Sequence, residues 1–146
     1  MIVIRTGSGA LQTVVLPDSS TVQLNANSSV AYRRAWNWLS KREVFTTGEA
    51  LLAVRHLNRD SSAIRDGERF TAYTGDVAVE VLGTKFNLKN RGNKVIVSLL
   101  EGRIALRHIK RGGEEKILSP GDIVIDSDHG FRNVTSGQKT VQQTVA

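Results

Sequence analysis

The side chains of this sequence that could perform acid–base chemistry are, first, three histidines. His56, His108 and His129 are isolated from one another along the chain. A hydrolase needs a nucleophile with a base within hydrogen-bond reach, and a metal enzyme needs several converging ligands. Sequence spacing cannot exclude a triad assembled from distant segments. Because no grouping is visible, we interpret the histidines as solvated or packed side chains.

A second group of polar side chains, Asp122, Asp126, Asp128 and His129, comes closest to a metal-binding constellation. Hard cations favour several oxygen ligands from one loop. Asp122 follows a glycine at an apparent turn, however, and the EF-hand spacing with its terminal glutamate is absent. The pattern therefore favours ordinary turn and strand-end carboxylates. We expect no catalytic residue, no metal, no cofactor and no enzymatic activity.

Trp36 and Trp38 are candidates for contact with a partner. Alternate residues of a strand point to the same side, so the two indoles would share a face of a potential strand. Tryptophan is enriched at binding hot spots, although packing against the core or as a lid is the competing interpretation. The basic residues that flank them are Arg33, Arg34, Lys41 and Arg42.

The composition of the chain limits the kinds of protein that it can be. With 146 residues, 40% of them hydrophobic, the sequence can bury one core. It contains no cysteine, which excludes disulfides, thiolate metal sites and a cysteine nucleophile. The apolar runs are far shorter than the roughly 20 residues that cross a bilayer, and the N-terminus does not resemble a signal peptide. If the protein is exported, we expect its export signal to lie outside these residues.

The net charge of +6 raises the question of an anionic partner. Lysine and arginine attract phosphate backbones and anionic lipids. Here the basic residues alternate with apolar positions, as on the solvated side of a strand. We therefore expect no nucleic-acid partner, and a membrane surface stays a weaker alternative.

Two-residue alternation of apolar and polar side chains predicts the secondary structure. It recurs in 77–81, 104–107 and 123–126, as is typical of strands. Residues 90–93 and 111–114 contain glycine where a hairpin tip needs it. Only 35–41 and 57–64 could form a short helical turn. The sequence predicts an all-β fold of many short strands, in a sandwich or a solenoid-like, β-helical arrangement.

Glycines separate these predicted strands at regular intervals of 8 to 10 residues, obtained by subtracting their positions. This spacing is expected of sandwiches, barrels and solenoids. The glycines are Gly67, Gly75, Gly83, Gly92, Gly102, Gly112, Gly121 and Gly130.

Six short motifs occur in a fixed order between about residues 13 and 125. They are LPDSS (16–20), LNANS (24–28), GEALL (48–52), VEVLGTKFNL (79–88), LEGRI (100–104) and LSPGD (118–122). Together they resemble the FecR family of regulators of extracytoplasmic-function sigma factors, whose members run LPDGS, LNxxS, GEAxF, VxVLGTxFNV, LEGxV and LxPGE. Ser19 departs from that pattern, because it stands where the family has glycine.

We interpret the motif residues as structural: the glycines form tight turns, and Phe86 packs in the core. The residues that we single out for this role are Leu16, Pro17, Asp18, Gly48, Glu49, Gly83, Thr84, Phe86, Gly102, Pro120 and Gly121.

The resemblance implies a periplasmic domain of a single-pass inner-membrane protein, with a cytoplasmic anti-sigma segment before its membrane helix. Family members often sense the signalling domain of a TonB-dependent transporter, commonly one for iron chelates, through a smaller α/β subdomain that follows the β domain. We expect residues 1–146 to be a single β domain that ends before that subdomain. Met1–Gly9 and Thr135–Ala146 would be connections to neighbouring parts. The alternative is a small-ligand- or carbohydrate-binding β module without a regulatory role.

Overall fold

The computed structural model describes residues 1–34, 36, 42–56, 68–112, 114–127 and 130–134. Over these residues it contains thirteen strands and no α-helix, in a nearly closed barrel-like sheet. The all-β prediction is confirmed. The two predicted helical turns, 35–41 and 57–64, lie outside the described residues apart from position 36.

The strands are short except for one, and they follow one another along the chain with brief turns. In order they are β1 (Ile2–Arg5), β2 (Gln12–Val15), β3 (Thr21–Leu24), β4 (Ser29–Tyr32), β5 (Arg42–Val54), β6 (Phe70–Thr74), β7 (Val77–Val81), β8 (Thr84–Arg91), β9 (Lys94–Glu101), β10 (Ile104–His108), β11 (Glu115–Leu118), β12 (Ile123–Ser127) and β13 (Gly130–Asn133).

The long strand β5 belongs to two sheets. Its residues 42–47 pair within sheet A, whose strand order is β1-β4-β5-β6-β7-β10-β11. Its residues 48–54 pair within sheet B, whose order is β2-β3-β5-β8-β9-β12-β13. Among the described strands only β5 and β6 pair in parallel. A solenoid stacks parallel strands, so the almost wholly antiparallel pairing of the described strands argues against the solenoid alternative.

Gly48 stands where β5 passes from one sheet to the other. Its φ is +78°, and a Cβ there would lie 2.4 Å from Ser28 Oγ. Glycine is needed because both the positive φ and the close approach exclude a side chain.

The two sheets enclose one hydrophobic core. Every second residue of β5 is buried, as alternation predicts. Phe70 and Phe86 are fully buried, Phe86 on the inward side of β8. Other fully buried apolar side chains are Leu24, Leu52, Leu88, Ile104, Leu106 and Leu118.

Turn geometry agrees with the predicted hairpin at 90–93. Gly92 and Asn93 connect β8 to β9 with φ of +60° and +62°, as a type I′ turn requires. Ser19, which replaces the glycine of the family motif, also has a positive φ of +73°.

The N-terminal segment differs from its predicted role as a connection. Ile2–Arg5 is strand β1, which pairs with β4 at one edge of sheet A. Ile2 and Ile4 pack against the core, and this apolar contact draws the segment into the sheet. The prediction for Met1–Gly9 was therefore wrong over β1, and the segment 135–146 lies outside the described residues.

Away from β5, the two sheets meet again through a cluster of charged side chains that we term the clasp: Arg111, Glu114 and Asp126. Arg111, in the turn between β10 and β11, donates to both carboxylates. Glu114 also accepts the backbone N–H of Phe131 in β13 at 3.1 Å. This N–H bond and the Arg111 guanidinium hold the pKa of Glu114 below its ordinary value. The clasp thus ties sheet A to sheet B.

Candidate functional site

A buried ion pair lies at one end of the core. Arg42, the first residue of β5, is 1% exposed, and its Nη1 lies 2.5 Å from Oδ2 of Asp18. Asp18 also accepts the backbone N–H and the hydroxyl of Ser20, each at 2.8 Å. Asp18 therefore both shapes the turn between β2 and β3 and neutralises Arg42.

The same guanidinium donates hydrogen bonds to three backbone carbonyls from different parts of the chain. Arg42 donates to the oxygens of Arg55 at 2.9 Å, Glu68 at 2.5 Å and Leu82 at 3.2 Å. These carbonyls follow β5, precede β6 and follow β7. Because a buried guanidinium is costly unless it is paired, Arg42 holds the three segments in one arrangement.

Aromatic rings complete the surroundings of this ion pair. The Arg42 guanidinium lies 5.5 Å from the centre of the Phe70 ring. Trp36 contacts Phe70 and Tyr32 edge to face, at centroid distances of 6.1 and 6.2 Å. Trp36 is partly buried and lies outside any strand. The structure therefore places Trp36 at the margin of the core, and the predicted strand face shared with Trp38 is not observed at Trp36. Trp38 itself lies outside the described residues.

A groove of about 420 Å³ opens beside the segments that Arg42 holds together. A second depression of about 480 Å³ adjoins it and shares His56, Gly83 and Thr84 with it. We call the two together the basic groove, because five basic and two acidic side chains line it. These are Arg55, His56, Arg69, Lys85 and Arg103, with Glu80 and Glu101.

Two motif glycines form the wall of the groove. A Cβ on Gly83 would lie 2.4 Å from the Cβ of His56, and one on Gly102 would lie 2.7 Å from the carbonyl oxygen of Gly83. Gly102 also has a φ of +94°. Thr84 donates its hydroxyl to the carbonyl oxygen of Arg103 at 3.3 Å. The turns after β7 and after β9 therefore pack directly on each other.

The lining of the groove is net positive, because it contains four Arg or Lys side chains and two Glu side chains. Arg69 pairs with Glu80 at 3.2 Å, and both side chains are about one third exposed or more. Arg55, Lys85 and Arg103 form no ion pair with any residue that the structure describes. The groove therefore presents cationic groups to solvent.

The remaining motif residues occupy turns and the outer side of sheet B. Glu49 accepts the side-chain amides of Asn25 and Asn87, each at 3.2 Å, which links three motifs. Gly121 has a φ of +97° and donates its N–H to the Leu99 carbonyl at 2.9 Å. Among the others, Leu16 is buried, whereas Pro17 and Pro120 are exposed.

Among the described residues, the histidines and aspartates do not form a cluster that could bind a metal. His108 Nδ1 accepts the backbone N–H groups of Lys110 and Arg111, and its Nε2 lies 3.7 Å from Asp126. Asp122 caps its own turn by accepting the Ser119 N–H at 2.8 Å. In the described part of the chain, no three potential ligands could hold a metal ion. Asp128 and His129 lie outside the described residues.

Sequence reasoning missed Arg42 and the basic groove. Arginine is almost never fully buried unless it is paired, so its residue type predicted exposure. A signal was nevertheless present, because extending the alternation of Val44 and Leu52 back to position 42 places Arg42 on the inward side. The groove itself joins residues far apart in sequence, which no local pattern reveals.

Comparisons with known proteins find one matching family and similar crystal structures. The FecR protein family matches residues 2–105. Two crystal structures of a putative anti-sigma factor from Parabacteroides distasonis are similar, each at 25% identity, with TM-scores of 0.74 and 0.73. They cover 98% and 97% of this chain, and this chain spans 65% and 64% of theirs, which is less than two thirds.

No relative was found among curated proteins. Within the described residues, no helix has the length and apolar character needed to cross a membrane. The matched family is of a regulatory, signalling kind. Since the match extends over more than half of the sequence, the chain belongs to the FecR family.

Proposed function

We propose that this chain is the periplasmic signal-relay domain of a membrane-anchored regulator that controls an extracytoplasmic-function sigma factor, in the uptake of iron chelates. The observation that carries the proposal is the FecR match over residues 2–105, together with a fold shared with an anti-sigma factor. The sigma factor would contact a cytoplasmic segment of the longer protein. The signalling domain of a TonB-dependent transporter would contact a subdomain beyond the β domain.

The architecture suits a relay because it limits internal motion. The Arg42 ion pair fixes one end of the core, and the clasp joins the two sheets elsewhere. A rigid domain can pass a change at one surface to another without losing it in local rearrangement. This rigidity supports a role in transmitting a contact.

The first test of the proposal determines the cellular compartment in which the domain lies. Alkaline phosphatase fused after Ala146 in the longer protein should be active, because its disulfides form only in an oxidising compartment such as the periplasm. A β-galactosidase fusion at the same point should be inactive. The reverse result would contradict the proposed location.

Regulation is the second test. Deletion of the gene should make transcription from the cognate sigma-dependent promoter insensitive to added iron chelates, measured with a reporter. An unchanged response would contradict the proposed function.

Calorimetry addresses the transporter as partner. The transporter signalling domain should bind the longer periplasmic segment and bind residues 1–146 weakly or not at all. Comparable micromolar affinity for residues 1–146 would move that contact into this domain, with Trp36 and Trp38 as the first residues to substitute.

A further inference from the structure

We infer that the basic groove is a docking site for an extended acidic segment of a partner protein. The inference deepens the proposed function, and it rests on that function for the partner being a protein. It assigns a surface of this domain, separate from the contacts proposed above for the sigma factor and the transporter.

Charge is the first argument for an acidic occupant. Arg55, Lys85 and Arg103 face the groove without an ion-pair partner among the described residues, whereas Glu80 is already paired with Arg69. Carboxylates of an incoming chain would supply the missing partners, and guanidinium groups bind carboxylates through two parallel hydrogen bonds. Unpaired cations in a concave surface also raise the rate of encounter with anions.

Shape is the second argument, and it favours a peptide over a small anion. The two depressions adjoin each other at His56, Gly83 and Thr84, so an extended segment that crosses these residues would contact both. Val81, Leu82 and Ala105 add apolar lining in the first depression. A segment that alternates acidic and apolar side chains matches both features, whereas a free carboxylate would use only the charge.

Preorganisation is the third argument. The Arg55 and Leu82 carbonyls beside the groove are held by the buried Arg42 guanidinium, and the Gly83 backbone is packed against His56 and Gly102. A groove with fixed walls loses little conformational entropy when it is occupied. The buried ion pair therefore has a function in binding besides its role in the core.

Other anionic partners fit these observations less well. Single-stranded nucleic acid is bound by aromatic side chains on which bases stack, and no aromatic ring except the His56 imidazole lines the groove in the described residues. A lipid surface would meet a basic patch that projects from the domain, whereas here the cations surround a concavity.

The test measures binding of a fluorescein-labelled octapeptide of alternating glutamate and leucine by fluorescence anisotropy. We expect saturable binding that weakens as salt is raised, and none with the lysine–leucine peptide. The double variant Lys85→Gln with Arg103→Gln should weaken binding about 5-fold or more, because it removes two cations that would pair with carboxylates of the peptide.

A matched control separates the groove from net charge. Lys94→Gln with Lys116→Gln removes the same two charges from strands β9 and β11, at positions that do not line the groove. This variant should change affinity less than about 2-fold. Glu101→Gln should instead tighten binding, a gain that damaged folding cannot produce.

Three outcomes would overturn the inference. These are equal losses in the two double variants, efficient competition by citrate, and competition by phosphatidylglycerol vesicles but not by excess unlabelled peptide. If the peptide does not bind but deletion of the gene abolishes the response to iron chelates, only the groove inference is rejected. Binding together with an unaffected reporter in the gene deletion would reject the proposed function alone.

Discussion

At the scale of single residues, the ion pair of Arg42 and Asp18 is the most deeply buried one among the described residues. Asp18→Asn would remove the countercharge while Arg42 stays buried, and leaving such a charge uncompensated costs about 3–5 kcal/mol. We expect the free energy of unfolding, measured by urea denaturation, to fall by that amount. Asp122→Asn is the control, because Asp122 caps an exposed turn and asparagine keeps an oxygen for the Ser119 N–H, so its loss should be below about 1 kcal/mol. Equal small losses in both variants would mean that water reaches Arg42.

Phe86 provides a second test at this scale. Its side chain is fully buried, so Phe86→Ala should lower the free energy of unfolding by about 3–5 kcal/mol through lost burial and a residual cavity. Phe45→Ala is the matched control, because Phe45 is 41% exposed and stacks on Tyr73 at the outer side of sheet A. The control should lose clearly less in the same urea titration. A denaturation midpoint unchanged in Phe86→Ala would show that β8 faces the other way.

At the scale of elements, local patterns predicted strands and turns but not their partners. Alternation in 104–107 correctly predicted β10, because burial on one side imposes a period of two. The strand predicted over 77–81 is β7, although Ala78 on its other side is buried as well. The pairing of β5 with both sheets depends on contacts with β3, β4, β6 and β8, which lie far apart in sequence. No window of residues around β5 contains that information. For the same reason the groove, whose lining comes from several strands, could not be predicted.

The bend within β5 yields a prediction about this strand. Gly48→Ala would force a Cβ into Ser28 Oγ while keeping a positive φ, so it should destabilise the protein by more than the conformational cost of about 1 kcal/mol. Gly92→Ala is the matched control, because its φ is +60° but no atom lies within 4 Å of the added Cβ. Thermal and urea unfolding of both variants should show a larger loss for Gly48→Ala. Equal losses would show that β5 shifts to make room.

At the scale of the whole molecule, contacts of different chemistry join the two sheets. Continuous backbone joins them through β5, whereas the clasp joins them through side chains that titrate. Backbone continuity does not depend on pH, but the clasp requires an ionised Glu114. Acid should therefore weaken the closure of the two sheets at the clasp before it affects the β5 junction.

The lowered pKa of Glu114 determines whether the clasp becomes weaker or stronger as pH falls. Because the Phe131 N–H and Arg111 favour the carboxylate, the folded protein holds this pKa below its value in the unfolded chain. The resulting stability is complete above the unfolded value of about 4.3 and is lost as pH falls through the folded value. Glu114→Gln keeps an oxygen for the Phe131 N–H but cannot ionise. The urea midpoint of the natural protein should therefore approach that of Glu114→Gln as pH falls below the unfolded value of about 4.3.

Glu101→Gln controls for the general effect of acid, because Glu101 forms no side-chain hydrogen bond or ion pair with a described residue. Its midpoint should follow that of the natural protein across the same pH range. If all three curves run parallel instead, water solvates the Glu114 carboxylate as well as the clasp does, and the clasp contributes nothing to holding sheets A and B together.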